Sequence, residues 1–217
     1  MGSQNPVVLD NSRDINPLLE KLVKDQSQTS FFYLGMFRIC AGHLKARYDS
    51  TIDKMHANIK GEDSQCRQNF KSITFMMATF NFGGKVRCWK HCDQQNLLLG
   101  WCTITALGQF DPKCSTRFIL WELKLVIDFP PGSTIIILSA LMTYSNTQIV
   151  PGDECTLFTQ YMPGAIFCWV DVGCLTKKAL KATNTDAWAE HKKKAVPITN
   201  RLGIFSQVQE IFCRADI

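Results

Sequence analysis

The stretch 117-RFILWELKLVIDFPPGSTIIILSA-140 decides how the chain is read. Its segments 117–128 and 133–144 are dense in Ile, Leu, Val and Phe, and the turn signal PPG at 130–132 lies between them. Short runs of β-formers punctuated by Pro and Gly read as strands. The longest uncharged run, Phe129 to Pro151, reads as buried strand and not as a membrane span. Two prolines, a glycine and several polar residues interrupt it, and its apolar part is far shorter than the roughly 20 residues that a span needs.

The same texture continues outward. Segments 73–82, 85–93, 99–107, 154–161 and 165–171 are short and rich in Ile, Val, Phe, Thr and Trp, with turn signals at 83–84, 111–113, 151–153 and 163–164. Seven or eight strands in a row, with no helices between them, predict an antiparallel sandwich or jelly roll and not a βαβ fold. On the N-terminal side, INPLLEKLVK at 15–24 reads as a short helix. From Phe31 to Ile59, the residues Phe37, Cys40, Leu44, Tyr48, Ile52, Met55 and Ile59 recur every three or four positions, the mark of a helix bent near Gly42 or Asp49. Beyond Thr176 helical patterning returns in TDAWAEHKKKAV and NRLGIFSQVQEIF, split by Pro197. The expected fold class is therefore α+β. A double-stranded β-helix (jelly-roll) core of about eight mostly antiparallel strands spans 63–176, flanked by helices over 1–62 and 177–217, in one structural domain overall.

Composition bounds the function. At 217 residues with 46% hydrophobic and 20% charged residues, the chain is an ordinary globular one, without a secretory or transit signal at its start. A net charge of +5 tolerates a nucleic-acid partner without demanding one, and the KKK at 192–194 reads as a solvated helix face. Ten cysteines are many, but no CxxC occurs, and Cys88, His91 and Cys92 are too close-set for a zinc knuckle. The cysteines are expected to be reduced, and a zinc-bound or disulfide-rich binding module has little in its favour.

The chemistry lies in 88-CWKHCDQQN-96. His91 and Asp93 stand two apart after a strand-like run, and side chains at i and i+2 of a strand share a face. An imidazole and a carboxylate presented together are two of the three protein ligands of a non-haem Fe(II) site.

The runs FNFGGKVRCWKHCDQQN, GWCTITALGQFDPK, LWELKLVIDFPPGSTIIILSA and FTQYMPGAIFCWVDVG, taken in order over roughly 70–176, closely resemble fungal members of the TET/J-binding-protein dioxygenases, copies often found near transposons. The resemblance implies Fe(II) and 2-oxoglutarate as cofactors, oxidation of methylated bases in DNA, a flipped-out target base, a nuclear location and no stable protein partner. It makes His91 and Asp93 the first two iron ligands and Asn96 the residue that hydrogen-bonds the base. Trp101 and Phe110 fall at core positions.

Elsewhere the pattern breaks. The family's third iron ligand is a histidine in a phrase resembling SAxxxHSN; here 139-SALMTYSN-146 puts Tyr144 in that place. A neutral phenol is a poor ligand for Fe(II). The arginine that anchors 2-oxoglutarate, and the serine two residues on, are replaced in 152-GDECTLFTQY-161 by Cys155 and Leu157. In 115-STRF-118, Arg117 occupies a position where the family often has a histidine near 2-oxoglutarate, and it offers a substitute guanidinium. Cys92, Cys155 and Cys168 all stand where relatives commonly carry arginine. One C-to-T change turns an arginine codon into a cysteine codon, the pattern expected of a copy decaying by cytosine deamination. Three readings stay open: a catalytically impaired dioxygenase, an active base dioxygenase anchored by Arg117, and a non-catalytic DNA-binding or interaction module.

Overall fold

The computed structural model describes Lys21 and residues 35–59, 74–186, 188 and 189. The chain forms two compact units, one of Met1–Met76 with Ile166–Ile217 and the other of Met77–Ala165.

In the first unit, helical residues 35–40 are followed by α1 (Gly42–Asn58). The interruption falls at Ala41, whose φ of −145° and ψ of 48° leave the helical region, and the chain runs straight through Asp49. Leu44, Tyr48, Ile52 and Met55 recur at helical spacing and are all buried. Phe37, Tyr48, Phe75 and Phe167 form one aromatic cluster, with ring centroids 5.4–6.1 Å apart in the pairs that Tyr48 makes. Phe167 belongs to α2 (Gly164–Asp171), and α3 (Lys177–Thr183) follows, its first turn capped by Thr176, whose hydroxyl accepts from the Ala179 N–H at 3.1 Å. The helix expected over 15–24 lies outside the described residues, as does NRLGIFSQVQEIF. Of TDAWAEHKKKAV, residues 185, 186, 188 and 189 are described and helical.

The second unit is all strand: β1 (Met77–Asn81), β2 (Cys102–Gln109), β3 (Phe118–Leu120), β4 (Leu125–Ile127), β5 (Thr134–Ile137), β6 (Tyr144–Asn146) and β7 (Glu154–Tyr161). They make a four-stranded sheet in the order β1-β7-β2-β5 and a three-stranded sheet in the order β4-β3-β6. Every pairing is antiparallel. Alternation selects the core: Cys102, Ile104 and Ala106 of β2, Cys155 and Leu157 of β7 and Ile137 of β5 meet Phe118, Leu120 and Tyr144 of the smaller sheet. Two antiparallel sheets closed over one apolar core, in a chain that also forms helices, are the jelly-roll-type α+β fold that the strand series predicts. No helix among the described residues is long and apolar enough to cross a membrane.

At Gly108 the neighbouring strand leaves no room for a side chain. The glycine pairs with Cys155 at φ +116°, and a Cβ there would lie 2.2 Å from the carbonyl oxygen of Glu154.

Four expected strands differ, among them 133–144, which is strand over β5, turns at 138–143 and enters β6 only at Tyr144. Residues 117–128 form the β3–β4 hairpin, turning at Trp121–Lys124 with Lys124 at φ 53°. WELK contains none of the usual turn formers, so this turn carries no sequence signal. Segment 165–171 is helical, because packing of Phe167 and Val170, three apart on one buried face, overrides the β propensity of its aromatic and branched residues. Segment 85–93 is extended but is no continuous strand. Its β-bridges to the sheets are the isolated pairs Lys85↔Cys155 and His91↔Tyr144.

Candidate functional site

Along 85–93 a few backbone bonds, among them Asn146 N–H to the Cys88 carbonyl at 3.3 Å, are supplemented by one side chain. Buried Asn146 accepts from the Cys88 backbone N–H and donates from Nδ2 to the Val86 carbonyl at 3.0 Å. This clamp holds the segment beside β6 and delivers His91 to Tyr144, with which it exchanges both backbone hydrogen bonds at 2.9–3.1 Å. Two residues on, the Asp93 N–H donates to the Ser139 carbonyl at 2.7 Å.

His91, Asp93 and Tyr144 therefore converge. The His91 and Tyr144 rings lie 4.5 Å apart, and the phenol ring stacks on Phe118 at 5.5 Å. His91 Nδ1 sits 2.6 Å from the Trp89 carbonyl. A carbonyl only accepts, so Nδ1 carries the proton and Nε2 presents its lone pair, 3.6 Å from Asp93 Oδ1. Two ligand atoms about 2.1 Å from one cation and at right angles to each other are about 3 Å apart. At 3.6 Å the two atoms are close to that spacing but wider than it.

The third position is closed. Tyr144 Oη donates to Asp93 Oδ2 at 3.0 Å, and Asn96 Nδ2 reaches the same oxygen at 3.1 Å and Ser139 Oγ at 3.0 Å. Burial, and then the negative charge of Asp93, hold the Tyr144 phenol far above its ordinary range, so it remains a proton donor. Asp93 Oδ2 is committed to two donors, and the third position offers an O–H and no anionic oxygen. No group of three His, Cys, Asp or Glu side chains that could hold a metal occurs among the described residues. The donor set present does not fit a facial Fe(II) triad.

The positions expected from the resemblance to meet 2-oxoglutarate offer it no open cation. Cys155 is completely buried and Leu157 is 5% exposed, both in the apolar core. Burial pushes the Cys155 thiol up to about 11, so it is neutral and offers a dianion no counter-charge. Arg117 lies one residue before inward-facing Phe118, and its Nε donates to Asp128 Oδ1 at 2.9 Å across the β3–β4 hairpin. Both partners are substantially exposed, so the substitute guanidinium is engaged on the solvent side. Asp153 is also engaged, accepting from Ser115 Oγ and from the Asp111 N–H. Asn96, the candidate base reader, spends its amide NH2 on Asp93 and Ser139.

Two residues that matter here, Ser139 and Asn146, were not singled out from the sequence. Both lie in SALMTYSN, and a polar residue within an otherwise apolar strand phrase is the signal that could have found them. Of the core positions, Phe110 is buried and Trp101 partly so. Of the three cysteines at arginine positions, only Cys155 is buried; Cys92 is partly buried and Cys168 exposed.

No family model matches the chain, and no curated protein does. Among solved structures, an RmlC-like cupin protein from Desulfovibrio desulfuricans is similar with a TM-score of 0.28 and 15% identity, over 39% of this chain and 69% of that one.

Proposed function

We propose that this chain is a jelly-roll domain of the TET/J-binding-protein dioxygenase type that has kept its fold and lost turnover. The phrase-by-phrase sequence resemblance supports the type, and the convergence of His91, Asp93 and Tyr144 is what a former facial triad would leave behind. One observation carries the loss: Tyr144 stands in the third ligand position as a hydrogen-bond donor to Asp93 Oδ2, at 3.0 Å. A phenol in that role competes with a cation for the carboxylate. The neutral, buried Cys155 removes the cosubstrate anchor independently. On this reading the ancestral substrate class is DNA with methylated bases, acted on in the nucleus.

The test is anaerobic titration with Fe(II) and then 2-oxoglutarate, watching for the visible metal-to-ligand charge-transfer band of the ternary complex. The natural protein is expected to give none at sub-millimolar cosubstrate. Tyr144→His, read by the ligand-field spectrum of added Co(II), should restore metal binding, and Tyr144→His with Cys155→Arg should restore the charge-transfer band. A band from the natural protein would overturn the proposal.

A further inference from the structure

The segment that carries the closed site also carries an open one. Trp89 is 71% exposed and Trp121, at the β3–β4 turn, 43%. Each indole is covered by a cation of the same short segment: the Arg87 guanidinium lies 4.2 Å from the Trp89 ring centre, and Lys90 Nζ lies 4.2 Å from that of Trp121. Indoles are normally withdrawn from water, so two left open beside positive charge form a surface with chemical character. It is also held in shape. Trp121 Nε1 donates to Ser145 Oγ at 3.1 Å, which fixes the ring, and the Trp89 carbonyl is held by His91 Nδ1.

The charges around it favour an anion. Residues 85–91 include Lys85, Arg87 and Lys90 and no acid. The nearby carboxylates have partners of their own: Glu122 accepts from the Thr143 N–H and is also felt by Lys90, Asp93 accepts from Tyr144 and Asn96, and Asp128 from Arg117, so Lys85 and Arg87 carry the excess positive charge. Exposed indoles that each carry a cation on one face suit a partner that alternates flat rings, which can displace the cation from the indole, with phosphates that take up its charge. We propose that Arg87, Trp89, Lys90 and Trp121 form a platform for unpaired, single-stranded nucleic acid, with bases stacked on the indoles and phosphates paired to the cations. A duplex keeps its base faces stacked inside and cannot use the indoles in this way. The platform goes beyond the function proposed above and needs neither metal nor cosubstrate, so its test stands or falls separately.

The experiment is fluorescence anisotropy of labelled oligo(dT) with the full chain at low salt, with competition by unlabelled duplex of equal length, inorganic polyphosphate and poly(Glu). Trp89→Ala and Trp121→Ala should each weaken oligo(dT) binding about tenfold, the scale of one lost base stack, while Trp89→Phe should recover most of it. Lys90→Met should lower the slope of log affinity against log salt by about 0.7. Both indoles are exposed, so the variants are expected to fold; circular dichroism checks this. The platform is refuted if the alanine variants bind oligo(dT) as the natural protein does. Competition by polyphosphate or poly(Glu) on a par with unlabelled oligo(dT) would also overturn it, leaving a simple polyanion or acidic-protein site, and so would a preference for duplex.

Discussion

Replacing Tyr144 by Phe removes one oxygen and leaves the stack on Phe118 and the contact with His91 in place. The deleted O–H is a donor to a carboxylate, and such bonds contribute about 1.5–3 kcal/mol when buried. Asp93 keeps Asn96 as a second donor and is itself partly exposed, so water can serve the freed lone pair. The lower end, about 1.5 kcal/mol, is therefore expected, or a melting temperature lower by roughly 3–6 °C for a chain of this size. Part of that loss could come from packing, so the bond itself is measured by a double-mutant cycle with Asp93→Asn. If Tyr144 and Asp93 are bonded as described, the two substitutions together cost about 1 kcal/mol less than the sum of the singles. Alkaline titration gives an independent check. The folded phenol is held above its unfolded value, so its contribution is complete below about pH 10, where a free tyrosine titrates, and is lost as pH rises further. Phenylalanine at 144 should flatten that part of the decline. Additive singles, with an unchanged alkaline limb, would refute the closed Tyr144–Asp93 bond and with it the argument that the metal position is plugged.

Asn146→Ala should destabilise by roughly 2–4 kcal/mol, since two buried backbone groups of the 86–88 segment lose their partners, and amide exchange at Cys88 should accelerate locally. Gly108→Ala forces a Cβ against the Glu154 carbonyl at a positive φ and is expected to cost upwards of about 3 kcal/mol, visible as insoluble or strongly destabilised protein. Burial raises the Cys155 thiol from 9.0 to about 11, so its share of stability is whole below pH 9 and fades as pH climbs to 11. Cys155→Ala should therefore show a shallower alkaline loss in denaturant titrations at those two pH values. Arg117→Met breaks only an exposed pair with Asp128; a stability change above about 1 kcal/mol would contradict its solvent-side placement.

The legible part of the fold was what alternation and punctuation encode. Segment 154–161 matches β7 at both ends, because its Cys155 and Leu157 point inward while PGD marks its start. The illegible part was set by contacts distant in sequence. Nothing in WELK announces a turn; Lys124 adopts its positive φ because Leu120 and Leu125 pair in register across the hairpin. AIFCWVD has the composition of a buried strand and becomes a helix through packing of Phe167 and Val170. In the site, the sequence pointed to His91, Asp93 and position 144 together, and the geometry does bring them together. It could not reveal that Asn146 supplements the few backbone bonds along 85–93, or that Arg117 and Asn96 are already engaged with neighbours.

The way the site is closed also explains why a chain can lose this chemistry and keep its fold. A carboxylate that has held a cation cannot simply be left bare beside an apolar core, because an unpaired buried charge costs several kcal/mol. With a residue at 144 that donates nothing, Asp93 would be left with Asn96 and water. Tyrosine adds a partner: its ring extends the Phe118 stack, and its hydroxyl lies 3.0 Å from the carboxylate oxygen. On the proposed reading, the residue in the third ligand position thus supplies a hydrogen bond where a metal would have met the carboxylate. Cys155 would follow the same logic from the opposite direction, since a neutral buried thiol requires no counter-ion, whereas an arginine there would need a bound acid to be stable. On the proposed reading each residue removes a demand for a ligand, and the two together allow the jelly roll to fold without one.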